Sequence, residues 1–240
     1  MRLDRLLANL GYGSRREVAI LARGGRVRLD GAALTDPGAH LPAGADLAAR
    51  LRVDDVRLDP PPPLTLVMHK PLGVVCSHKE PGRSIHELLP DRWRRRSPPI
   101  STVGRLDAET SGLILLTDDG GFLHKVISPR SSVAKRYVAR LDRPLAGGEA
   151  AVFASGALLL EGETRPLAPA RLEPLGESEA RLTVHEGRYH QVRRMFEAVG
   201  LTVLALHRDR IGGLDLPDDL APGAWRLILP QEMQRIFAPG

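Results

Sequence analysis

Leu3, Leu6, Leu7 and Leu10 recur at the i, i+3, i+4, i+7 spacing of one helix face, and Gly11 and Gly13 follow as stop signals. Ser14-Arg15-Arg16-Glu17 has the form of a capping box, in which the serine hydroxyl takes a first-turn amide and the glutamate reaches back. A second helix is expected from there through about Ala22, ended by Gly24-Gly25. Arg26-Val27-Arg28-Leu29 then alternates like a strand and enters an Asp30-Gly31 hairpin turn. Further on, Leu64 to His69 reads as a strand, and Leu113-Ile114-Leu115-Leu116-Thr117 as a short strand buried on both faces, stopped by the turn Asp118-Asp119-Gly120-Gly121. Gly121 to Ile127 reads as a short helix. Lys135 to Leu141 alternates, with Tyr137, Ala139 and Leu141 on one face and Arg136, Val138 and Arg140 on the other.

The last clear pattern is helical. Val192, Met195, Phe196 and Val199 form one apolar stripe, and Gly200 stands where a left-handed cap belongs. At about 100° per residue, Arg193 lies beside that stripe and Arg194 nearly opposite. Arg193 can therefore reach a site beneath the helix, whereas Arg194 is expected to meet solvent or RNA. Between these elements, Pro60-Pro61-Pro62-Pro63 can join neither a helix nor a central strand and favours an extended spacer. It divides the chain into a module of residues 1–58, a linker of 59–63 and a larger domain of 64–240.

Composition narrows the function. The 240 residues carry a formal net charge of +5, and 42% are hydrophobic, enough for a real core. Four of the 34 basic residues are lysines, at 70, 79, 125 and 135, so arginine supplies the charge. Its planar fork suits phosphates and base edges. One cysteine, Cys76, excludes an internal disulfide and a cysteine-rich zinc site, and the eight histidines show no i, i+4 pair, so no metal is expected. With no apolar run of spanning length and no signal-peptide pattern at Met1-Arg2-Leu3-Asp4-Arg5, a cytoplasmic protein with no membrane association is expected.

The loop before the central strand holds the chemistry. Gly104-Arg105-Leu106-Asp107-Ala108-Glu109-Thr110-Ser111-Gly112 gathers a cation, two carboxylates and two hydroxyls between glycines, on a rigid strand. Its residues alone fit either a carboxylate held for catalysis or a capped turn in which Asp107 and Thr110 bond local amides. The wording of the stretch, with the aliphatic run and Thr-Asp-Asp-Gly after it, resembles the catalytic motif of RNA pseudouridine synthases, in the branch that modifies ribosomal RNA. Lys70-Pro71-Leu72-Gly73 is similar to a Lys-Pro-x-Gly motif that the same family carries at this point, although in isolation it is a common turn. Lys135-Arg136-Tyr137 resembles the second family motif, and Glu186 to Gly200 the third. The wording through Leu206 to Gly213 and Leu220 to Gly223 leans towards the enzymes of small-subunit (16S) RNA, with large-subunit (23S) RNA as the alternative.

The resemblance implies an α+β fold, a mainly antiparallel mixed sheet flanked by helices, and an isomerase that needs no cofactor. It implies Asp107 as the catalytic carboxylate, Tyr137 against the target uracil and Arg193 paired with Asp107. An opposite charge about 4 Å away is attracted by roughly 4 kcal/mol at an effective dielectric near 20, before desolvation. Because the base must leave its stack, Arg105 is expected either to fill the vacated space or to touch a phosphate. Arg188 and Arg194 are further expected RNA contacts.

Residues 1–58 resemble an S4-type RNA-binding domain, through the Ser-Arg-Arg helix start and the Gly-Gly-Arg-Val-Arg-Leu-Asp-Gly hairpin. Arg2, Arg5, Arg15, Arg16, Arg23 and Arg26 are its expected phosphate contacts; a solvated charged face is the plainer reading of the same residues. Tyr12 is its only aromatic, which favours recognition of backbone and shape over base stacking. Arg92-Trp93-Arg94-Arg95-Arg96 reads as a basic loop open to RNA or solvent. The expected partner is ribosomal RNA or a pre-ribosomal particle, met by a monomer. Two other classes compete: an assembly factor that binds RNA without catalysis, and a hydrolase of free nucleosides.

Overall fold

The computed structural model describes residues 1–42, 46–77 and 80–238. His78 and Lys79 lie outside them. The chain forms two compact units.

In the first unit the two expected helices are Leu3–Asn9 and Arg15–Arg23. Leu3, Leu6, Leu7 and Leu10 are buried together with Val18, Ala22, Val27, Leu51 and Val53. The capping box forms: Ser14 Oγ accepts from Glu17 N at 3.3 Å, and the Glu17 carboxylate accepts from Ser14 N at 2.7 Å. Strand Val27–Leu29 pairs antiparallel with Ala32–Ala33 on one side and Leu51–Val53 on the other, and Val56–Arg57 completes the sheet.

This unit does not stop at residue 58. It takes in residues 1–64, 89–101 and 117–119. The proline run is clamped: Pro60 O accepts from Arg96 Nη2 at 2.8 Å, and Arg92 Nη2 donates to Asp59 at 2.7 Å. Arg96 also pairs with Asp118 at 3.1 Å, the two side chains being 1% and 0% exposed. Asp118 Oδ1 accepts from Leu64 N at 2.7 Å. The expected basic loop is accordingly a 3-10 helix, Asp91–Arg95, with Trp93 buried. Its local sequence shows the arginines but not the carboxylates, at 59 and 118, that draw two of them inward. Asp118, expected in the turn that stops the central strand, is the buried counter-charge of Arg96.

The second unit is built on a sheet whose strands lie in the order Arg171–Pro174, Glu179–Val184, Lys135–Leu141, Val203–Ile211, Thr110–Thr117, Thr65–Lys70 and Trp225–Leu227. The Val203–Ile211 strand pairs parallel with Thr110–Thr117 and antiparallel with Lys135–Leu141. The mixed, mainly antiparallel sheet expected from the family is thus the one observed. Leu113 to Leu116 are all 0% exposed, and each such burial stabilises by roughly 1.5–3 kcal/mol. Leu113 and Leu115 pack with Phe122 and Val126 of helix Gly120–Ile127. Helix Gln191–Ala198 lays Val192, Met195 and Phe196 on Ala139, Leu141 and Leu182.

One glycine makes the central pairing possible. Gly112 has φ +113°, and a Cβ there would stand 2.2 Å from the carbonyl oxygen of Arg208 on the neighbouring strand. Only a residue without a side chain lets the two backbones meet at this register.

Candidate active site

Asp107 lies in the loop that enters the central strand, and that loop is braced from several sides. Gly104 turns it with φ +75°. Leu106 N donates to Cys76 Sγ at 3.5 Å, Thr110 N to Asp107 O at 3.0 Å, and Gly73 N to Ala108 O at 2.8 Å. Lys70 Nζ donates to Thr110 O at 2.9 Å and to Pro71 O at 3.0 Å. The Lys70–Gly73 turn is therefore a strut for the Asp107 loop, a role its sequence did not disclose. Lys70 is 0% exposed. Burial pushes its ammonium below the usual lysine value, against the pull of Cys76 and Asp107.

Asp107 opens onto a cavity of about 500 Å³ whose walls include Lys135, Tyr137, His190, Arg193 and Arg208. Three of the sequence-predicted residues, Asp107, Tyr137 and Arg193, are thus brought to one cavity, but not in the expected pairing. Arg193 donates to Val203 O at 2.9 Å and Glu109 O at 3.0 Å, with the Glu109 carboxylate 3.9 Å away. The side chain within ion-pair distance of Asp107 is instead His190, whose Nε2 stands 3.4 Å from Oδ1. The helical wheel places Arg193 on the correct side. It cannot say that two backbone carbonyls on neighbouring segments would take the fork first. His190 in turn stacks on Tyr189, ring centroids 3.8 Å apart, and Tyr189 is 73% exposed at the rim.

The cavity also holds cations that sequence reasoning passed over. Tyr137 faces Arg208 across the strand pair. Arg208 is 3% exposed; its Nε donates to Leu113 O at 2.8 Å and its Nη1 to the Tyr137 hydroxyl at 3.4 Å. Among the described residues its Nη2, and the hydroxyl of Thr110, are buried without a hydrogen-bond partner. Leaving such a group unpaired costs about 1–3 kcal/mol. Lys135 stands two residues before Tyr137 on the same face, and burial, then the charge of Arg208, brings its pKa down to about 8. The signal available in sequence was alternation: Leu206 and Arg208 share a face, with Leu206 in the core.

The remaining arginines divide sharply. Arg105, at the rim, is ion-paired to Glu80 and leaves 60% of its side chain exposed. Arg188 is committed inward, to Glu186 at 3.1 Å, Glu163 at 3.2 Å and the carbonyls of Arg165 and Pro166. Arg194, expected to meet solvent or RNA, binds Glu163 at 3.0 Å and the carbonyls of Tyr189 and Glu161. These two forks pin the 161–166 segment to the start of the helix. Guanidinium forks seek carbonyls and carboxylates, and residues 161–166 come near only in the folded chain. In the first unit Arg2 is bound to Asp4 and Arg26 to Asp54. Arg5, Arg15, Arg16 and Arg23 are exposed and enter no ion pair among the described residues. Nor is there, among those residues, a cluster of three groups suited to a metal ion, or a helix long and apolar enough to cross a membrane.

Asp107 thus stands on a braced loop at a cavity whose walls also carry the Tyr137 ring and the cations Lys135 and Arg208, an arrangement that can hold a carboxylate against a bound aromatic or polar ring. The family model for RNA pseudouridylate synthase matches residues 64–198, and that for the S4 domain residues 1–47. The chain belongs to the RNA pseudouridine synthase family, with an S4 domain at its N-terminus. It is 38% identical to the ribosomal small subunit pseudouridine synthase A of Yersinia pestis, over 100% of this chain and 99% of that one. The proteins of the same name from Pseudomonas aeruginosa and Escherichia coli K12 are 40% and 38% identical, over 97% and 98% of this chain and 99% and 100% of theirs. A crystal structure of a pseudouridylate synthase superposes with a TM-score of 0.68 at 31% identity, covering 98% of this chain and 99% of that one.

Proposed function

We propose that this enzyme converts one uridine of small-subunit ribosomal RNA to pseudouridine, with Asp107 as its catalytic carboxylate. The observation that carries the reading is the position of Asp107, 34% exposed at the mouth of a cavity large enough for a nucleotide base and lined by Tyr137 and Arg193. The small-subunit assignment is supported by the names of relatives that this chain matches from end to end. Uracil must detach at N1, turn, and rejoin the ribose through C5, which requires no redox change, no group transfer and hence no cofactor. The target base leaves its stack to enter the cavity, and Arg105 at the rim is placed to fill the gap or to grip a phosphate. Tyr137 then lies along the face of the uracil. Asp107 either bonds to C1′ or takes the proton from C2′; in both routes the ribose is activated from the carboxylate side of the cavity. Arg193 fixes the Glu109 segment beside Asp107. The exposed arginines of the S4 domain, Arg5, Arg15, Arg16 and Arg23, meet the RNA backbone. The protein works as a monomer, in the cytoplasm, on ribosomal RNA or a pre-ribosomal particle.

The test is pseudouridine mapping on ribosomal RNA from a strain lacking the gene, treated with the wild-type protein or with Asp107→Asn. Conversion of one small-subunit uridine by the wild type alone, with RNA binding kept in the variant, is the expected result. Product from the variant would remove Asp107 from the chemistry, and a product confined to large-subunit RNA would overturn the substrate.

A further inference from the structure

Beyond Asp107, the cavity holds two cations that the proposed mechanism has not used. Lys135 and Arg208 come from neighbouring antiparallel strands, on the face that carries Tyr137. Among the described residues neither has a carboxylate within ion-pair reach, whereas Arg188, Arg193 and Arg194 each have one. Arg208 is held in place by Leu113 O and the Tyr137 hydroxyl, yet its Nη2 has no partner, and the Thr110 hydroxyl nearby is likewise unpartnered. Both residues line the same cavity as Asp107. The cavity wall thus holds positive charge, and buried just within it are idle hydrogen-bonding groups, on the side where the base would lie.

The chemistry supplies a matching anion. When the N1–C1′ bond breaks, its electron pair leaves with the uracil, whichever way Asp107 acts. If Asp107 bonds to C1′, an ester replaces the glycosidic bond; if it takes the C2′ proton, a C1′–C2′ double bond does. Either way uracil departs as an N1 anion whose charge is spread over O2 and O4. C5 then attacks C1′, breaking the ester and freeing the Asp107 carboxylate in the first route, or adding across the double bond as C2′ regains its proton from Asp107 in the second; the C5 proton is lost, N1 gains a proton, and the sum is an isomerisation. We propose that Lys135 and Arg208 bind this departing uracil anion through its carbonyl oxygens, with the Thr110 hydroxyl completing the contact. The inference rests on the proposed role of Asp107. Donors aimed at charge that exists only after bond cleavage speed the step without tightening ground-state binding.

The test is single-turnover kinetics on target RNA, alongside RNA affinity, for the wild type, Lys135→Met, Lys135→Arg and Arg208→Lys. Lys135→Met is the primary variant because Lys135 is only partly buried, so its loss spares the core. The expected result is a rate about 100-fold lower for Lys135→Met, as for loss of one oxyanion donor, with affinity changed by no more than about twofold. Lys135→Arg should recover most of the rate. RNA bearing 5-fluorouridine at the target, whose fluorine makes the departing base a weaker base, should shrink the Lys135→Met deficit in N1–C1′ cleavage. An unchanged rate in Lys135→Met overturns the inference, as does a deficit that appears wholly as weaker RNA binding, which would make the pair a phosphate grip. Failure of the wild type itself to form pseudouridine is a separate outcome, and would strike the role of Asp107 first.

Discussion

Gly112→Ala tests how tightly the site depends on one backbone contact. The new methyl would meet Arg208 O at 2.2 Å, N at 2.7 Å and C at 2.8 Å, all backbone atoms that no side-chain rotation can move. Relief requires the two strands to separate by about 1 Å, since carbon and oxygen reach contact near 3.0 Å or beyond. The register Leu206↔Thr110, His207↔Ser111, Arg208↔Gly112 is short, so weakening it forfeits about two hydrogen bonds at roughly 0.5–1.5 kcal/mol each. Alanine at φ +113° adds about 1–3 kcal/mol of backbone strain. The sum is about 2–6 kcal/mol, a large part of the roughly 5–15 kcal/mol that a domain has in total. The chain has two tryptophans, Trp93 in the first unit and Trp225 in the second. In a Trp93→Phe background, Trp225 fluorescence reports urea unfolding of the catalytic unit. With a slope of about 1–3 kcal/mol per molar urea, the midpoint should fall by roughly 0.7–6 M. Arg208 moves with its strand, so pseudouridine formation should fall even in the fraction that stays folded. A midpoint within about 0.3 M of the parent, with full activity, would refute the close-approach argument.

Other consequences are equally direct. Asp118→Asn leaves the buried Arg96 charge uncompensated and should destabilise the first unit by about 3–5 kcal/mol, read from thermal unfolding of Trp93 fluorescence; adding Arg96→Met should restore most of the stability, and additive effects in the double variant would contradict the pairing. Lys135 loses its proton as pH rises through about 8, faced by Arg208 on the next strand and by Asp107, His185, Arg188 and His190 around the cavity, so the single-turnover rate should decline above that pH, and Lys135→Arg should move the decline upward. Between about pH 8 and the ordinary lysine value near 10.4 the unfolded chain holds the proton that the native chain has released, so the contribution of Lys135 to stability rises with pH while the rate falls; a midpoint of unfolding that falls together with the rate would assign the decline to unfolding instead. Replacing Arg15 and Arg16 by alanine should lower the slope of log affinity against log salt by about 0.7–0.9 for each phosphate that the protein no longer neutralises, and an unchanged slope would remove those two from the RNA interface.

Periodicity alone determined the elements that are locally encoded. The Ser14 capping box, the helix bearing Val192, Met195 and Phe196, and the strand Lys135–Leu141 are where side-chain spacing places them, because capping and amphipathic burial act over one to two turns or a few alternating residues. The motif around Asp107 likewise carried the family. Contacts between residues far apart in the chain were not legible. Whether Arg193 would find Asp107 or the carbonyls of Val203 and Glu109, whether Arg194 would face RNA or Glu163, and whether the Arg92–Arg96 segment would lie open or be drawn in by Asp59 and Asp118 all depended on which acceptors folding brings within about 3 Å of a long, charged fork. A guanidinium bonds whatever acceptor is nearest, and only the tertiary structure decides which that is. The same holds for Lys135 and Arg208: their spacing marks a strand face, but the assembled cavity alone brings these two cations to the same walls as Asp107.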